Sequence, residues 1–261
     1  NNPIQREIVS QETRTSAARM LAKLGVVSEE LNELWMHLSD DYFINHTPDE
    51  ISWHSLILLD KDATLPKINA RINQREEAEI FIYTPKNKQL FASIASTLEQ
   101  LGLNIADAKI NMTNNHFAIN SFKVLEEDGS SPSEQYRMEE ITDKLKSRLD
   151  LNNENHAQIS NTKHLPSRAQ KNFYVDTEIR FDQLVGNDIT VLTIIATDRP
   201  GLLANIAQAF VECEILIHHA KIATAGEKAL DSFYITDKNH NPLLDDSSME
   251  TLKLTLLKHL N

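Results

Sequence analysis

At 261 residues, with 41% hydrophobic and 25% charged residues, the chain has the composition of a globular protein large enough for about two domains. Lysine and arginine number 26 against 38 acidic residues, a formal net charge of −12, which disfavours a nucleic-acid footprint or an anionic membrane surface. Cys213 is the one cysteine, which excludes an intrachain disulfide and a CxxC metal or redox motif.

The first stretch, Asn1 to about Leu38, has helical periodicity. Ala17, Ala18, Leu21 and Leu24 fall on one face, Gly25 is a stop, and Ser28 opens a second helix through Leu34, Trp35 and Leu38. Thr47-Pro48-Asp49-Glu50 reads as the start of another helix, with Ile51, His54, Ser55 and Leu58 along one of its sides. Asp40, Asp41, His46 and His54 match no metal-ligand spacing, so capping and surface charge are the expected roles.

From Leu65 the period changes to that of strands. Lys67–Ile72 alternates Ile68, Ala70 and Ile72, and a second strand runs from Ala78 to Tyr83. Leu90, Phe91, Ile94, Ala95, Leu98 and Leu101 then define an amphipathic helix ending near Gly102. Strands over Asn104–Met112 and Phe117–Leu125 flank a polar turn, and Tyr136–Leu149 is helical. Residues 151–171, carrying His156 and His164, are polar and aperiodic and read as a linker.

An internal repeat then reorganises the picture. IFIYTPKNKQLFASIASTLEQLGLNIADAKI matches LTIIATDRPGLLANIAQAFVECEILIHHAKI, pairing Ile94 with Ile206, Ala95 with Ala207, and Ala108-Lys109-Ile110 with Ala220-Lys221-Ile222. After a one-residue difference in the hairpin, Ser121-Phe122 falls on Ser232-Phe233. Each copy reads strand–helix–strand–strand–helix, a ferredoxin-like unit short of its last strand, and each has an extra strand in front: Ile68–Ile72 and Phe173–Phe181. Strand counting therefore predicts an α+β protein: a helical segment (1–60), two circularly permuted four-stranded antiparallel units with two helices each (64–150 and 172–261), and a linker between them.

The second copy carries the most informative stretch, VLTIIATDRPGLLANIAQAF. A β-branched run from Val191 to Ala196 meets the turn Thr197-Asp198-Arg199-Pro200-Gly201, and Leu202, Leu203, Ile206, Ala207 and Phe210 continue as a helix. Asp198 is placed to accept N–H groups near the helix start, Pro200 suits a first helical turn, and Gly201 leaves space beside backbone donors. A strand, tight turn and helix N-terminus make a cradle for a carboxylate; a helix cap with a packing glycine explains the same residues. The first copy has Pro85-Lys86-Asn87-Lys88-Gln89 instead, and without the glycine it is expected to bind differently, weakly, or only as a partner wall.

TDRPGLLANIAQAF followed by ILIHHAKIATAGEKALDSFYI resembles an ACT domain, a small regulatory module that commonly binds amino acids. With DDYFINHTPDEISWH, the repeat of the first copy and SFKVLEEDG, nearly the whole chain resembles the C-terminal region of the bifunctional uridylyltransferase/uridylyl-removing enzymes that modify PII nitrogen-signalling proteins. In that family a nucleotidyltransferase domain and a metal-dependent HD domain perform the chemistry. Here no glycine–serine loop with paired aspartates occurs, and no His is followed by Asp. The resemblance therefore implies the regulatory end of such an enzyme, without catalytic residues or cofactor of its own, the parent requiring Mg²⁺.

It further implies a tandem ACT pair that senses L-glutamine and reports nitrogen status to an enzyme acting on PII, with ACT–ACT association possible. Carried over residue by residue, the ligand site is Asp198, Arg199, Pro200, Gly201, Leu202 and Leu203, with Asn205 in the first helical turn and Ile217 and His219 on a facing strand. The N–H groups of Gly201–Leu203 would hold the ligand carboxylate and Asp198 its ammonium group. His218-His219 is a poor metal pair because adjacent strand residues point to opposite faces, and Lys109 and Lys221 read as exposed strand charges. The competing readings are an interaction module that has lost amino-acid binding and a stand-alone hydrolase, for which no HExxH, HxxEH, GxSxG or P-loop spacing appears. No signal peptide and no run of about 18 apolar residues is seen, so a cytoplasmic location is expected.

Overall fold

A computed structural model describes residues 3–150, 175–183, 188–225 and 228–260. The expected linker over 151–171 lies outside the described residues.

The chain opens with helices α1 (Pro3–Lys23), α2 (Ser28–Trp35), α3 (Asp40–Asn45) and α4 (Pro48–Leu59). Gly25, at φ +83°, adopts the left-handed conformation that terminates α1. Leu24, expected on the apolar face of α1, instead falls past its last turn and is 64% exposed. α4 begins with a capping box: Thr47 Oγ1 accepts the Glu50 N–H at 3.2 Å and the Glu50 carboxylate accepts the Thr47 N–H at 2.7 Å, with Pro48 in the first turn.

The first repeat comprises β1 (Lys67–Ile72), β2 (Ala78–Pro85), α5 (Leu90–Gln100), β3 (Leu103–Met112), β4 (Phe117–Glu126) and α6 (Gln135–Leu149). The second comprises β5 (Glu178–Gln183), β6 (Thr190–Thr197), α7 (Leu202–Glu212), β7 (Leu216–Ala225), β8 (Lys228–Thr236) and α8 (Asp246–Leu260). All strand pairs are antiparallel, in the order β1-β2-β4-β3-β7-β8-β6-β5. β1 lies beside β2 and β5 beside β6, so each unit takes its fourth strand from in front. The permutation expected from strand counting is the observed topology. β5 itself runs later than the expected Phe173–Phe181: its ladder extends from Glu178 opposite Ile195 to Gln183 opposite Thr190, and ahead of it the Val175 N–H bonds the Thr197 hydroxyl instead of a strand carbonyl. Phe173 lies outside the described residues; Ile179 and Phe181 do pack against the core.

The two four-stranded units form one eight-stranded sheet through β3 and β7, where Ala108 sits opposite Ala220. These are equivalent positions of the repeat, so a pseudo-two-fold axis passes between them. α5 packs on α7 across this axis and α7 on α8, and Ile94, Leu98, Ile206, Phe210, Phe122 and Phe233 belong to one continuous core on the helical face of the sheet.

The opposite face of the first unit is covered by the N-terminal helices. Phe81 and Ile119 leave the sheet on that side and are fully buried with Leu21, Tyr42, Phe43 and Ile51. This explains why Ile80-Phe81-Ile82 is apolar without alternation: both faces of β2 are covered.

Candidate functional site

At the start of α7 the chain makes a type II turn. Leu202 N–H bonds Arg199 O at 3.1 Å, and Gly201 has φ +82° and ψ −1°, values that favour glycine at the third turn position after a proline. Pro200 therefore belongs to the turn preceding the helix, and Gly201 is the N-cap residue. A Cβ on Gly201 would meet only Asn205 Nδ2, at 3.9 Å. Glycine is required here by backbone conformation and not by crowding.

Asp198 does not cap the helix: its carboxyl reaches Thr224 on β7, and burial raises its pKa against the effect of that hydrogen bond. Beside it stands Asp231 on β8, 1% exposed, with Oδ1 lacking any partner within the described residues. Burial pushes the Asp231 pKa up to about 7, opposed by a backbone N–H from Ala223 and assisted by the charge of Asp198. Asp231 shares the inward register of β8 with Ala229, Phe233 and Ile235, so it faces the α7 side of the sheet. Its counterpart in the first repeat is Asn120, 2% exposed, whose Nδ2 is also unpartnered. Asp231 escapes motif reading; the signal was a carboxylate in the apolar register of a strand.

The remaining expected residues divide. Leu202 is buried, Leu203 packs on the core, and Asn205 N–H bonds Gly201 O at 2.8 Å, so all three hold the turn in place. The Leu202 N–H is consumed by the turn and the Gly201 N–H is taken by the Glu99 carboxylate of α5, so the expected carboxylate cradle has an internal occupant. Arg199 turns to the end of α8, where its guanidinium bonds the Leu260 carbonyl. Ile217 packs on the helical face, whereas His219 points to the other, its Nε2–H donating to the Asp107 carboxylate Oδ1 at 2.7 Å and its ring stacking on Tyr234. A β-bulge between Ile217 and His219 adds one residue and reverses the alternation, so the two do not share a wall. His218 pairs with Thr236 Oγ1 at 2.9 Å.

In the first repeat the corresponding turn closes on itself. Asn87 O accepts the Leu90 N–H at 3.2 Å, as Arg199 O accepts that of Leu202, but here Asn87 Oδ1 also accepts the Gln89 N–H at 2.9 Å, an Asx turn that takes the donor equivalent to the Gly201 N–H. Lys88 is bridged to Glu214, just beyond α7, at 3.7 Å.

A second polar constellation lies between α4 and the opposite face of the sheet. Lys109, expected to be an exposed strand charge, is 14% exposed and holds the Glu50 carboxylate at 2.7 and 2.9 Å. His46 and His54, expected at the surface, are 3% and 0% exposed. His46 Nδ1 donates to the Tyr42 carbonyl at 2.8 Å, and its Nε2 lies 3.4 Å from Ser121 Oγ. His54 Nε2 lies 3.3 Å from the same hydroxyl and its Nδ1 2.8 Å from the Tyr42 hydroxyl. One neutral assignment satisfies every group: Tyr42 O–H to His54, His54 to Ser121, Ser121 to His46, and His46 back to Tyr42. Burial lowers the His46 pKa to about 4 and that of His54 well below its ordinary value. Asp40 and Asp41 pair with Arg14 and Arg6. Among the described residues no group of three or more His, Cys, Asp or Glu is arranged to hold a metal ion, and no helix is long and apolar enough to cross a membrane.

The architecture is thus a tandem pair of permuted ferredoxin-like units seated on a helical layer. Residues 5–56 match the family described as the fifth domain of the uridylyltransferase GlnD. The chain is 35% identical over 247 residues to a bifunctional uridylyltransferase/uridylyl-removing enzyme of Methylococcus capsulatus, which covers 94% of this chain and 28% of the relative. It is 34% identical over 266 residues to the protein of that name from Pseudomonas syringae pv. tomato, covering 100% of this chain and 29% of the relative. The chain spans less than a third of the length of these relatives, and the part it matches is their C-terminal region.

Proposed function

We propose that this chain is the amino-acid-sensing regulatory region of a bifunctional uridylyltransferase/uridylyl-removing enzyme acting on a PII protein, with L-glutamine as its effector and the two ferredoxin-like units as ACT domains. The observation that carries the reading is the pairing of opposite binding requirements at one end of the second unit. Asp231, a buried carboxyl with a free oxygen, together with Asp198, suits an ammonium group. The Gly201 N–H, at the positive end of α7, suits a carboxylate and is already engaged by one. An α-amino acid carries both groups a few ångströms apart. The relatives' names support placing such a sensor in an enzyme that adds and removes uridylyl groups, the catalytic metals belonging to its catalytic domains.

Calorimetric titration with L-glutamine tests this, with L-glutamate and Gly201→Leu as controls. Saturable heat with glutamine, lost in Gly201→Leu, is expected, since a leucine at φ +82° distorts the turn. Absence of heat and of any thermal shift at millimolar glutamine overturns it in favour of an interaction module that has lost its ligand. That second reading has one observation behind it, the occupied Gly201 N–H.

A further inference from the structure

The contact between Glu99 and Gly201 joins the two repeats at the very group that the sensor reading assigns to ligand. Glu99 closes α5 of the first unit, and its carboxylate accepts the N–H of the N-cap residue of α7 in the second. The contact has a reciprocal: Glu214, following α7, reaches Lys88 in the turn of the first unit. Each turn is therefore met by a carboxylate from the far end of the other unit's helix. The two are not equivalent in chemistry. In the first unit the helix donors are consumed by Asn87 and the incoming carboxylate meets a lysine side chain, whereas in the second the carboxylate meets the backbone donor itself. The residue of the second repeat that aligns with Glu99 is Val211, which carries no acceptor. Only one direction of the exchange can imitate an amino-acid carboxylate.

Resting on the sensor reading, we propose that Glu99 is a built-in competitor for the carboxylate subsite of the second unit, and that an amino-acid ligand enters by displacing it. One N–H carries one strong charge-assisted hydrogen bond, so the side chain and a ligand carboxylate exclude each other there. The displaced bond is also a tie between α5 and the start of α7. The ligand-bound state lacks that tie, so the ligand binds better to an arrangement in which the units are less firmly joined, and this differential binding is what an effector needs to shift a conformational equilibrium.

Glu99→Ala decides the matter with two measurements on this chain, thermal unfolding first confirming that the variant is folded. In the absence of ligand, hydrogen exchange at the Gly201 amide is expected to speed up about tenfold or more, because its acceptor is gone. In titration, L-glutamine is expected to bind about tenfold more tightly to Glu99→Ala than to the unaltered chain. Glu99→Gln, which keeps the shape and a neutral acceptor, is expected to fall between them and serves if the alanine variant does not fold. Unchanged exchange at Gly201, or unchanged or weaker glutamine binding in a chain that still binds it, overturns the competitor and leaves the sensor standing. Absence of glutamine binding in both chains removes the sensor reading and the ligand role of Glu99 with it.

Discussion

Lys109 Nζ lies 2.7 Å from Glu50 Oε1 across the boundary between the helical layer and the sheet, and both side chains are nearly buried. Burial by itself raises the Glu50 pKa, but the ammonium of Lys109, with His46 and the Thr47 N–H, outweighs it and holds the carboxyl below its ordinary value. Removing one partner strands the other: Lys109→Met is expected to cost about 3–5 kcal/mol in urea unfolding, and the double variant Lys109→Met/Glu50→Gln much less than the sum of the two single variants. Additive effects in that double-mutant cycle would show that the pair is not coupled. Because the folded-state pKa of Glu50 is depressed, its contribution is present above the unfolded carboxylate pKa and is lost as pH falls through the folded value.

The circuit of Tyr42, His54, Ser121 and His46 predicts acid sensitivity at a higher pH. The folded-state His46 pKa of about 4 lies below its unfolded value of 6.5, so the unfolded chain binds the proton first. Stability is complete above about pH 6.5 and declines as pH falls toward 4, by about 3 kcal/mol for His46. His54 adds to the loss in the same direction. Denaturant unfolding between pH 7.5 and 4.5 measures this. A profile flat down to pH 5, or one unchanged by His46→Gln, would refute it.

Asp231 titrates with the opposite sign. Its folded-state pKa of about 7 lies above the unfolded value of 3.8, so its contribution is fully present below pH 3.8 and is lost as pH rises through 7. Asp231→Asn should therefore stabilise the ligand-free chain at pH 8, by about 2 kcal/mol, while weakening amino-acid binding at least about tenfold. Thermal unfolding and titration of the same variant check both halves. A variant that loses stability, or keeps full affinity, would remove Asp231 from the site.

The self-closed turn of the first repeat predicts the stoichiometry. Asn87 Oδ1 already takes the Gln89 N–H, the equivalent of the Gly201 N–H, so titration with L-glutamine should give one site per chain. Two equal sites, or binding that survives Gly201→Leu, would show that the first turn opens.

Much of the architecture was written locally. The Thr47–Glu50 capping box and the change of period at Leu65 are short-range patterns, the pairing of Ala108 with Ala220 is readable because the sequence repeats itself, and strand counting sufficed for the permuted topology. The site was legible only as far as its turn. Gly201 lies at the helix start, where the strand–turn–helix pattern puts it, but Asp198 reaches Thr224 instead of capping, Pro200 stands in the turn before the helix, and Arg199 was claimed by the end of α8 and Gly201 by Glu99, contacts spanning 61 and 102 residues. No local pattern encodes such pairings. The bulges were hidden for another reason: they interrupt β3 between Ile105 and Asp107 and β7 between Ile217 and His219, at matched places in the repeat. Each reverses which face the next residue takes, so Ile217 and His219, which the resemblance placed together on one facing strand, fall on opposite sides of the sheet.

Those matched bulges bring Asp107 and His219 together at 2.7 Å beside the axis, and the two are 112 residues apart, the spacing of the repeat itself. They are therefore the same position in two copies. Two identical units joined at this axis would have to set acid against acid or imidazole against imidazole there. Fusion into one polypeptide lifts that restriction, because each half is then free to carry a different residue. The Asp107–His219 pair is a complementarity that neither half could make with a copy of itself, and it favours joining first unit to second over joining like to like.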